Sequence, residues 1–190
     1  VLILNRFAEV FPGWCYHYDY PFRQKEFSDG PVSPSNFRSG FRTARWNWWA
    51  YSDIPVPLVE AYDWIRNSSA LSVLSKEQQF DLVARLQADF FFSAADQVLA
   101  NRDDLTNMSP VAWKGLVVTG RILKRPDYIH EVVRRIRQLV ETKFFYDGVW
   151  YEGAPSYGAA TIGQLDGVLQ ALDGYSDPAD YRDPVDGSHF

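Results

Sequence analysis

The sequence predicts an all-α fold built from antiparallel helical hairpins, with a long aromatic loop region at its N-terminal side. Apolar residues recur every three or four positions from residue 57 to residue 174, which is the period of an amphipathic helix. Proline stands where several of these segments begin, and polar or glycine-containing connections separate them. Strand-like alternation is confined to Val149–Tyr151. These observations favour helices that pack on one another.

Residues 1–56 are predicted to form an irregular, aromatic-rich segment of the same domain. Aromatic side chains fill too many successive positions of Gly13–Phe22 for a single buried helical face. Prolines also interrupt this segment, at Pro12, Pro21, Pro31 and Pro34. Long loops of this kind usually form a binding site or cover one.

Residues 57–190 are predicted to form the helical hairpins. The apolar spacing places a first helix between Pro57 and Asn67. Ser75 and Gln78 have the spacing of a capping box, which predicts a second helix that starts at Ser75 and continues towards Leu99.

Three further helices are predicted from their first residues. Ser109 followed by Pro110 has the pattern of an N-cap and a first helical residue. Pro126 and Pro155 are predicted to open the last two helices, the second of which ends at Gly174. The short connections favour antiparallel neighbours, as in a bundle, a solenoid or a closed (α/α) toroid.

An aromatic groove favours the toroid among these three arrangements. The predicted helices are too few to close such a ring, so we expect an incomplete (α/α) toroid and a chain that is a piece of a longer protein.

The composition limits the classes of partner. Aromatic residues make up 16% of the 190 residues, which indicates either an aromatic core or an aromatic groove. The net charge of −5 predicts no general attraction to nucleic acid or to an anionic membrane. No apolar run approaches the roughly 18–20 residues of a membrane-spanning helix. The single cysteine, Cys15, allows no internal disulfide, and we expect neither a metal nor a cofactor.

The connection between the last two predicted helices contains more aromatic and acidic side chains than a turn requires. Residues 147–157 combine two glycines and a proline with Trp, Tyr and Glu side chains. Tyr157 falls in the first turn of the following helix, where unpaired backbone N–H groups and the helix dipole favour negative charge. The alternative is a tyrosine that packs this helix on its neighbour.

A second polar connection, Asn101–Pro110, contains Asn107 just before the predicted N-cap. An asparagine at this place is either a functional amide or an ordinary turn residue.

Together, these segments resemble the heparinase II/III-like polysaccharide lyases. The run Asp-Gly-x-Trp-x-Glu-Gly-x-x-Ser-Tyr at 147–157, preceded by the loop that contains Asn107, is similar to the motifs of that family. Trp46-Asn47-Trp48-Trp49, followed by Ile54-Pro55 and Ala61-Tyr62-Asp63, is similar to the first helices of its toroid. The resemblance covers most of residues 40–175.

The resemblance implies cleavage of a uronic-acid-containing polysaccharide by β-elimination. The reaction must neutralise the uronate carboxylate, remove the C5 proton and protonate the departing O4 oxygen. By position, Asn107 would neutralise the carboxylate and Tyr157 would act as base, acid or both. Glu152 matches the acidic position of the family and would orient a sugar or a neighbouring side chain.

The same resemblance implies the substrate-binding residues. Stacking platforms for sugar rings would be provided by Trp46, Trp48, Trp49 and Trp150. Carboxylate or sulfate groups would be held by Arg42, Arg45 and Arg102. Many members of the family have a histidine after the catalytic tyrosine, whereas this chain has Gly158. His17 is therefore a candidate second base, with a structural histidine as the alternative.

The family also implies partners outside this chain. We expect an acidic polysaccharide or oligosaccharide as substrate, further toroid helices and a C-terminal β-sandwich domain, and a periplasmic or secreted location.

Two other functions stay open. One is an (α/α)-toroid glycoside hydrolase that uses Asp103 or Asp104 together with Glu152 as acid and base. The other is a non-catalytic helical module that binds carbohydrate.

Several charged residues are assigned structural roles. His130 is predicted to be a surface or packing residue, and the arginines from Arg134 to Arg137 a solvated helix face. The acidic segments Asp177–Asp180 and Asp183–Asp186 are interpreted as turns, without the ligand spacing of a calcium loop.

Overall fold

A computed structural model describes residues 1–10, 54, 56–100 and 105–190. The chain divides into two compact units, Val1–Asn101 and Arg102–Phe190. The boundary falls in the polar connection that begins at Asn101. Each unit is described separately.

The first unit is helical over its described residues. It contains α1 (Leu2–Val10), α2 (Val56–Ile65), α3 (Ser69–Gln78), α4 (Leu82–Arg85), a π-helical stretch (Leu86–Phe92) and α5 (Ser93–Ala100). Helix α1 lies inside the segment that was predicted to be irregular, so that prediction is wrong for residues 2–10.

The predicted capping box at Ser75 is also wrong. Ser68 caps α3 by accepting the Ala70 N–H, and Asp81 caps α4 by accepting backbone N–H groups of its first turn. Ser75 lies inside α3, where its hydroxyl donates to the Leu71 carbonyl and accepts the N–H of Leu82. It therefore joins α3 to α4 and does not start a helix.

Aromatic rings form part of the core of the first unit. Tyr62, Phe90 and Phe91 are buried, with centroid distances of 5.2 Å between Tyr62 and Phe91 and 4.9 Å between Phe90 and Phe91. The Tyr62 hydroxyl accepts a 2.7 Å hydrogen bond from Gln87, which satisfies its polar end. Part of the aromatic excess in the composition is thus used in packing.

The second unit is built on three helices and a C-terminal tail. These are α6 (Ser109–Leu123), α7 (Pro126–Lys143), α8 (Pro155–Leu172) and the tail, residues 173–190. The three predicted helices are confirmed, and all have proline at one of their first two positions. The predicted N-cap at Ser109 is wrong, because Ser109 is the first residue of α6 and its hydroxyl accepts the Thr106 N–H, outside the helix. Helix α6 packs against both α7 and α8.

Contacts along the helices fix their directions. Near the end of α6, Arg121 donates to the carbonyls of Ala171 and Asp173, which close α8. Two turns earlier in α6, the Lys114 side chain comes within 3.8 Å of the position that a Cβ on Gly167 would occupy. Helices α6 and α8 therefore run in the same direction.

Helix α7 runs the opposite way, because it packs back on α6 after a two-residue connection. A Cβ added to Gly120 would lie 2.9 Å from the Arg125 carbonyl oxygen and 3.1 Å from the Ile129 side chain, so only glycine allows this close approach. The start of α7 consequently lies beside the end of α6.

These directions give the second unit two distinct ends. The turn end comprises residues 105–108, which precede α6, and residues 143–157, which lead from α7 into α8. The tail end comprises the first turns of α7 and the tail. The His130 and Lys143 backbones, which belong to opposite ends, are separated by about 20 Å along α7 at 1.5 Å per residue.

The described residues confirm the all-α class. Apart from one isolated antiparallel bridge between Phe144 and Trp150, they form helices and connections. Within the same residues, no helix combines the length and the apolarity needed to cross a membrane.

Candidate functional site

The predicted site residues fall into two groups. Four of them, Asn107, Trp150, Glu152 and Tyr157, belong to the turn end of the second unit. The others lie outside the described residues, namely His17, Arg42, Arg45, Trp46, Trp48, Trp49 and Arg102. Asp103 and Asp104, the hydrolase candidates, lie outside them as well.

The connection from α7 to α8 begins as a short hairpin. The Phe145 N–H donates to Val149 and the Tyr151 N–H donates to Lys143, both over 2.8–2.9 Å. The Asp147 carboxylate accepts the N–H of Val149, and Gly148 has a φ of +83°, which glycine adopts without strain. Asp-Gly is a favoured sequence for such turns, so the sequence itself specifies this local shape.

Trp150 has a packing role in this hairpin. Only 2% of the residue is exposed, and its ring makes edge contacts with Phe144 and Tyr151 at centroid distances of 5.1 and 4.9 Å. This burial leaves no ring face for a sugar, in contrast to the predicted stacking role of Trp150.

Gly158 lies directly against Trp150. A Cβ at this position would be 3.3 Å from the Trp150 Cβ, so a larger residue requires the tryptophan to shift. The lack of a side chain at Gly158 thus allows α8 to approach the buried Trp150.

Glu152 is exposed, and its carboxylate accepts a 2.5 Å hydrogen bond from the Trp150 indole N–H. The bond satisfies the polar atom of a buried tryptophan. It also fixes the position of the carboxylate relative to the hairpin.

Tyr157 lies in the first turn of α8 with 49% of its surface exposed. Its backbone is held by the Ala154 carbonyl on one side and by the Thr161 hydroxyl on the other. Among the described residues, the phenolic oxygen has no hydrogen-bond partner. The ring is therefore anchored at its backbone, and its hydroxyl is available to a ligand.

Asn107 lies in the turn that precedes α6. The turn is closed by other groups, because the Thr106 N–H donates to the Ser109 hydroxyl and the Met108 N–H to the Thr106 hydroxyl. The Asn107 side chain is half-buried and makes no hydrogen bond to any other described residue. Since α6 and α8 are parallel, Asn107 and Tyr157 lie at the same end of the helix pair.

Further aromatic residues at the turn end were not singled out from the sequence. Phe145 and Tyr151 are exposed and Tyr146 is fully exposed. The Lys143 ammonium lies 4.5 Å from the centre of the Tyr151 ring, which places a cation beside an accessible aromatic face. Successive residues of a β-hairpin face opposite sides, so Trp150 and Tyr151 point in opposite directions. The Asp147-Gly148 turn in the sequence indicates such a hairpin and could have identified the outward-facing rings.

The tail end holds a different polar cluster, centred on the buried His130. Its Nε2 lies 2.8 Å from an Asp177 carboxylate oxygen, and its Nδ1 lies 3.0 Å from the Ser188 hydroxyl. The Phe190 ring stacks on the imidazole at 4.1 Å. The prediction of a packing role for His130 agrees with this burial, but Asp177 proves to be a buried partner and more than a turn residue.

Arg134 and Arg135 do not form the predicted solvated face. Arg134 donates to Asp183 over 3.0 Å and also to Glu131, while Arg135 is buried and pairs with the same glutamate. Only Arg137 of the three is exposed. The prediction failed because the tail, distant in the sequence, covers this side of α7.

The electrostatics of the tail end stabilise ionised carboxylates. Burial alone would raise the pKa of Asp177, but hydrogen bonds from Tyr175, the Phe190 N–H and His130 lower it overall. Burial likewise opposes ionisation of Asp183, whose pKa is lowered by the Val185 N–H and by Arg134. Because both folded-state pKa values lie below the unfolded ones, this stabilisation is present at neutral pH and is lost on acidification through the folded pKa values.

The first unit contains a surface cleft of about 690 Å³. It lies between α3 and the start of α4, with Arg66, Ser72 and Phe80 among its lining residues. None of the predicted site residues contributes to it.

No protein-family model, no curated protein and no solved structure matches this chain.

Proposed function

We propose that the protein is a polysaccharide lyase that cleaves a uronic-acid-containing glycan by β-elimination, with Asn107 and Tyr157 as the catalytic residues. One observation carries the proposal. An amide and a phenol, neither of which has a hydrogen-bond partner for its side chain among the described residues, lie at the same end of two parallel helices, α6 and α8. Polar groups with a structural role are usually hydrogen-bonded to the protein.

The two residues supply complementary chemistry. The Asn107 amide donates a hydrogen bond to the uronate carboxylate and stabilises the charge that develops when C5 loses its proton. Tyr157, as the phenolate, takes the C5 proton. The C5–H electrons form a C4=C5 double bond, the C4–O4 bond breaks, and the phenol returns the proton to O4.

Neighbouring groups support binding in this proposal. Glu152, held by Trp150, orients a sugar hydroxyl or the incoming ring. Lys143 offers a positive charge for a carboxylate, and the exposed ring of Tyr151 offers a stacking face. The binding roles predicted for other aromatic, cationic and imidazole groups stay predictions, because these residues lie outside the described ones, namely Trp46, Trp48, Trp49, Arg42, Arg45, Arg102 and His17.

The arrangement of the second unit also supports an (α/α) toroid. Inner helices of such a ring run parallel to one another and outer helices run antiparallel to them, which matches α6 and α8 against α7. We propose that α6 to α8 belong to this ring, whose remaining helices and a β-sandwich domain would lie elsewhere in a longer protein. We also propose a periplasmic or secreted location, where a polymeric substrate would be accessible.

The test is a product assay with the purified protein on alginate, heparan sulfate and other uronans. The unsaturated uronate formed by elimination absorbs in the ultraviolet, whereas hydrolysis yields saturated ends without this absorbance. We expect product from the wild type and from Tyr146→Phe, which removes an exposed hydroxyl in the same turn. We expect a loss of activity for Tyr157→Phe. Equal rates for Tyr157→Phe and the wild type would exclude the assigned role.

A further inference from the structure

The tail end contains a buried carboxylate oxygen without a hydrogen-bond partner. Asp183 is 3% exposed, and its Oδ1 accepts hydrogen bonds from Arg134 and from the Val185 N–H. Its Oδ2 has no hydrogen-bond partner among the described residues. Burial of a carboxylate oxygen without a hydrogen-bond partner reduces the stability of the folded protein. A ligand bound to this oxygen would remove that cost.

This oxygen points at a histidine nitrogen. Asp183 Oδ2 lies 3.4 Å from His130 Nδ1, beyond the 2.7–2.9 Å of a charge-assisted hydrogen bond. On the other side of the ring, Nε2 lies 2.8 Å from Asp177, an acceptor-only carboxylate, so Nε2 carries the hydrogen. In the neutral ring, Nδ1 then offers a lone pair, with the Ser188 hydroxyl at 3.0 Å and Asp183 Oδ2 at 3.4 Å.

A cation between the two atoms accounts for this arrangement. Zn²⁺ binds histidine nitrogen and carboxylate oxygen at about 2.0–2.2 Å, and at a tetrahedral angle two such ligand atoms are roughly 3.3–3.5 Å apart. The observed 3.4 Å separation has this value. The hydrogen bond from Nε2 to Asp177 is the carboxylate–histidine contact that usually orients metal-binding histidines.

A third ligand comes from the same loop. The carboxylate of Asp186 lies within 4.8 Å of the ligand atoms of His130 and Asp183, and it is exposed to solvent. It would close the site on its outer side and leave a position for water. The buried Tyr181 hydroxyl, on a ring 5.3 Å from the imidazole, is a second oxygen without a partner among the described residues.

We propose that His130 Nδ1, Asp183 and Asp186 bind a divalent transition-metal ion, with Zn²⁺ preferred, which fastens the tail to α7. One nitrogen and two carboxylates suit zinc better than calcium, which takes six to eight oxygen ligands. The Ser188 hydroxyl gives up its contact with Nδ1 when the ion binds. Asp177, Arg134 and the Val185 N–H orient the ligands without touching the ion.

Asp186→Asn is the sharpest test, because the variant keeps the fold. The Asp186 Oδ1 accepts the Ser188 N–H, and an asparagine oxygen accepts the same bond. Asp180→Asn is the matched control, since Asp180 is an exposed carboxylate of the same tail outside the ligand set. Both variants and the wild type are freed of metal with a chelator and titrated with Zn²⁺ by calorimetry.

We expect wild type and Asp180→Asn to bind one Zn²⁺ and to melt at a higher temperature with it. Asp186→Asn should bind at least about tenfold more weakly, with an unchanged melting temperature in the chelated state. Co²⁺ in place of Zn²⁺ should give the visible absorption of a tetrahedral site in the wild type. Failure of the wild type to bind Zn²⁺, or equal affinity in Asp186→Asn and wild type, would overturn the proposal.

Discussion

At the turn end of the second unit, the Tyr157 hydroxyl and the Asn107 amide have no hydrogen-bond partner among the described residues. At the tail end, about 20 Å away along α7, the Tyr175 hydroxyl donates to Asp177 over 2.6 Å and His130 lies between buried partners. The same residue type, tyrosine, is thus exposed and available at one end and committed to a buried carboxylate at the other.

The difference separates two uses of polar side chains. A buried group that is hydrogen-bonded within the fold contributes to stability, so its loss is expected to reduce the free energy of unfolding. An exposed group with an anchored backbone costs the fold little, so its loss is expected to affect only a ligand or a reaction. The two ends of α7 therefore predict opposite outcomes for similar substitutions.

The largest effect is expected from Tyr157→Phe at the turn end. Loss of the proton-transferring group should reduce kcat by roughly 10²–10⁴-fold, with the free energy of unfolding unchanged within about 0.5 kcal/mol. Steady-state kinetics and urea unfolding of the same preparation check both statements. A stability loss of several kcal/mol would instead make Tyr157 a packing residue.

The next largest effect is expected from His130→Ala at the tail end. Removal of one partner from a buried pair leaves Asp177 without its imidazole and should cost about 3–5 kcal/mol of unfolding free energy. Arg137→Ala, an exposed change on the same helix, should stay within about 0.5 kcal/mol. Both are measured by urea unfolding in chelated buffer, and similar values for the two variants would contradict the structural role of the cluster.

A smaller effect is expected from Tyr175→Phe. The substitution removes one hydrogen bond to the buried Asp177 and should reduce the unfolding free energy by about 1–3 kcal/mol, with kcat of the folded protein unchanged. The same chemical change at Tyr157 has the reverse pattern. If Tyr175→Phe lost activity and kept the unfolding free energy of the wild type, the proposed difference between the two ends would be contradicted.

The sequence predicted helices correctly where a single local pattern marked the beginning of the helix. Proline at the beginning of α6, α7 and α8 predicted all three helices, because its fixed φ suits a first turn and no other residue nearby offers an alternative. The prediction of a helix start at Ser75 was wrong because Ser68 and Asp81 accept the unpaired N–H groups of the helices on either side. A capping pattern alone does not decide between such neighbours.

The surroundings of the candidate site residues could be predicted only in part, because they depend on contacts between distant residues and on which side of a hairpin each residue faces. Asn107, Glu152 and Tyr157 were identified from local motifs, and the structure brings them to one end of the second unit. The burial of Trp150 was missed because the resemblance assigned it a stacking role, although the strand-like Val149–Tyr151 is part of a hairpin with an inner face. The partners of His130 come from positions 47 and 58 residues away, which no local pattern reveals.

In the proposed mechanism, Asn107 and Tyr157 act on the same reacting uronate. A double-mutant cycle of Asn107→Ala and Tyr157→Phe, measured as kcat/KM on the best uronan substrate, tests it directly. Residues that act as a unit are not additive, so we expect the double variant to be little slower than the worse single variant. Strict additivity of the two losses, or full activity in Asn107→Ala, would contradict a shared site.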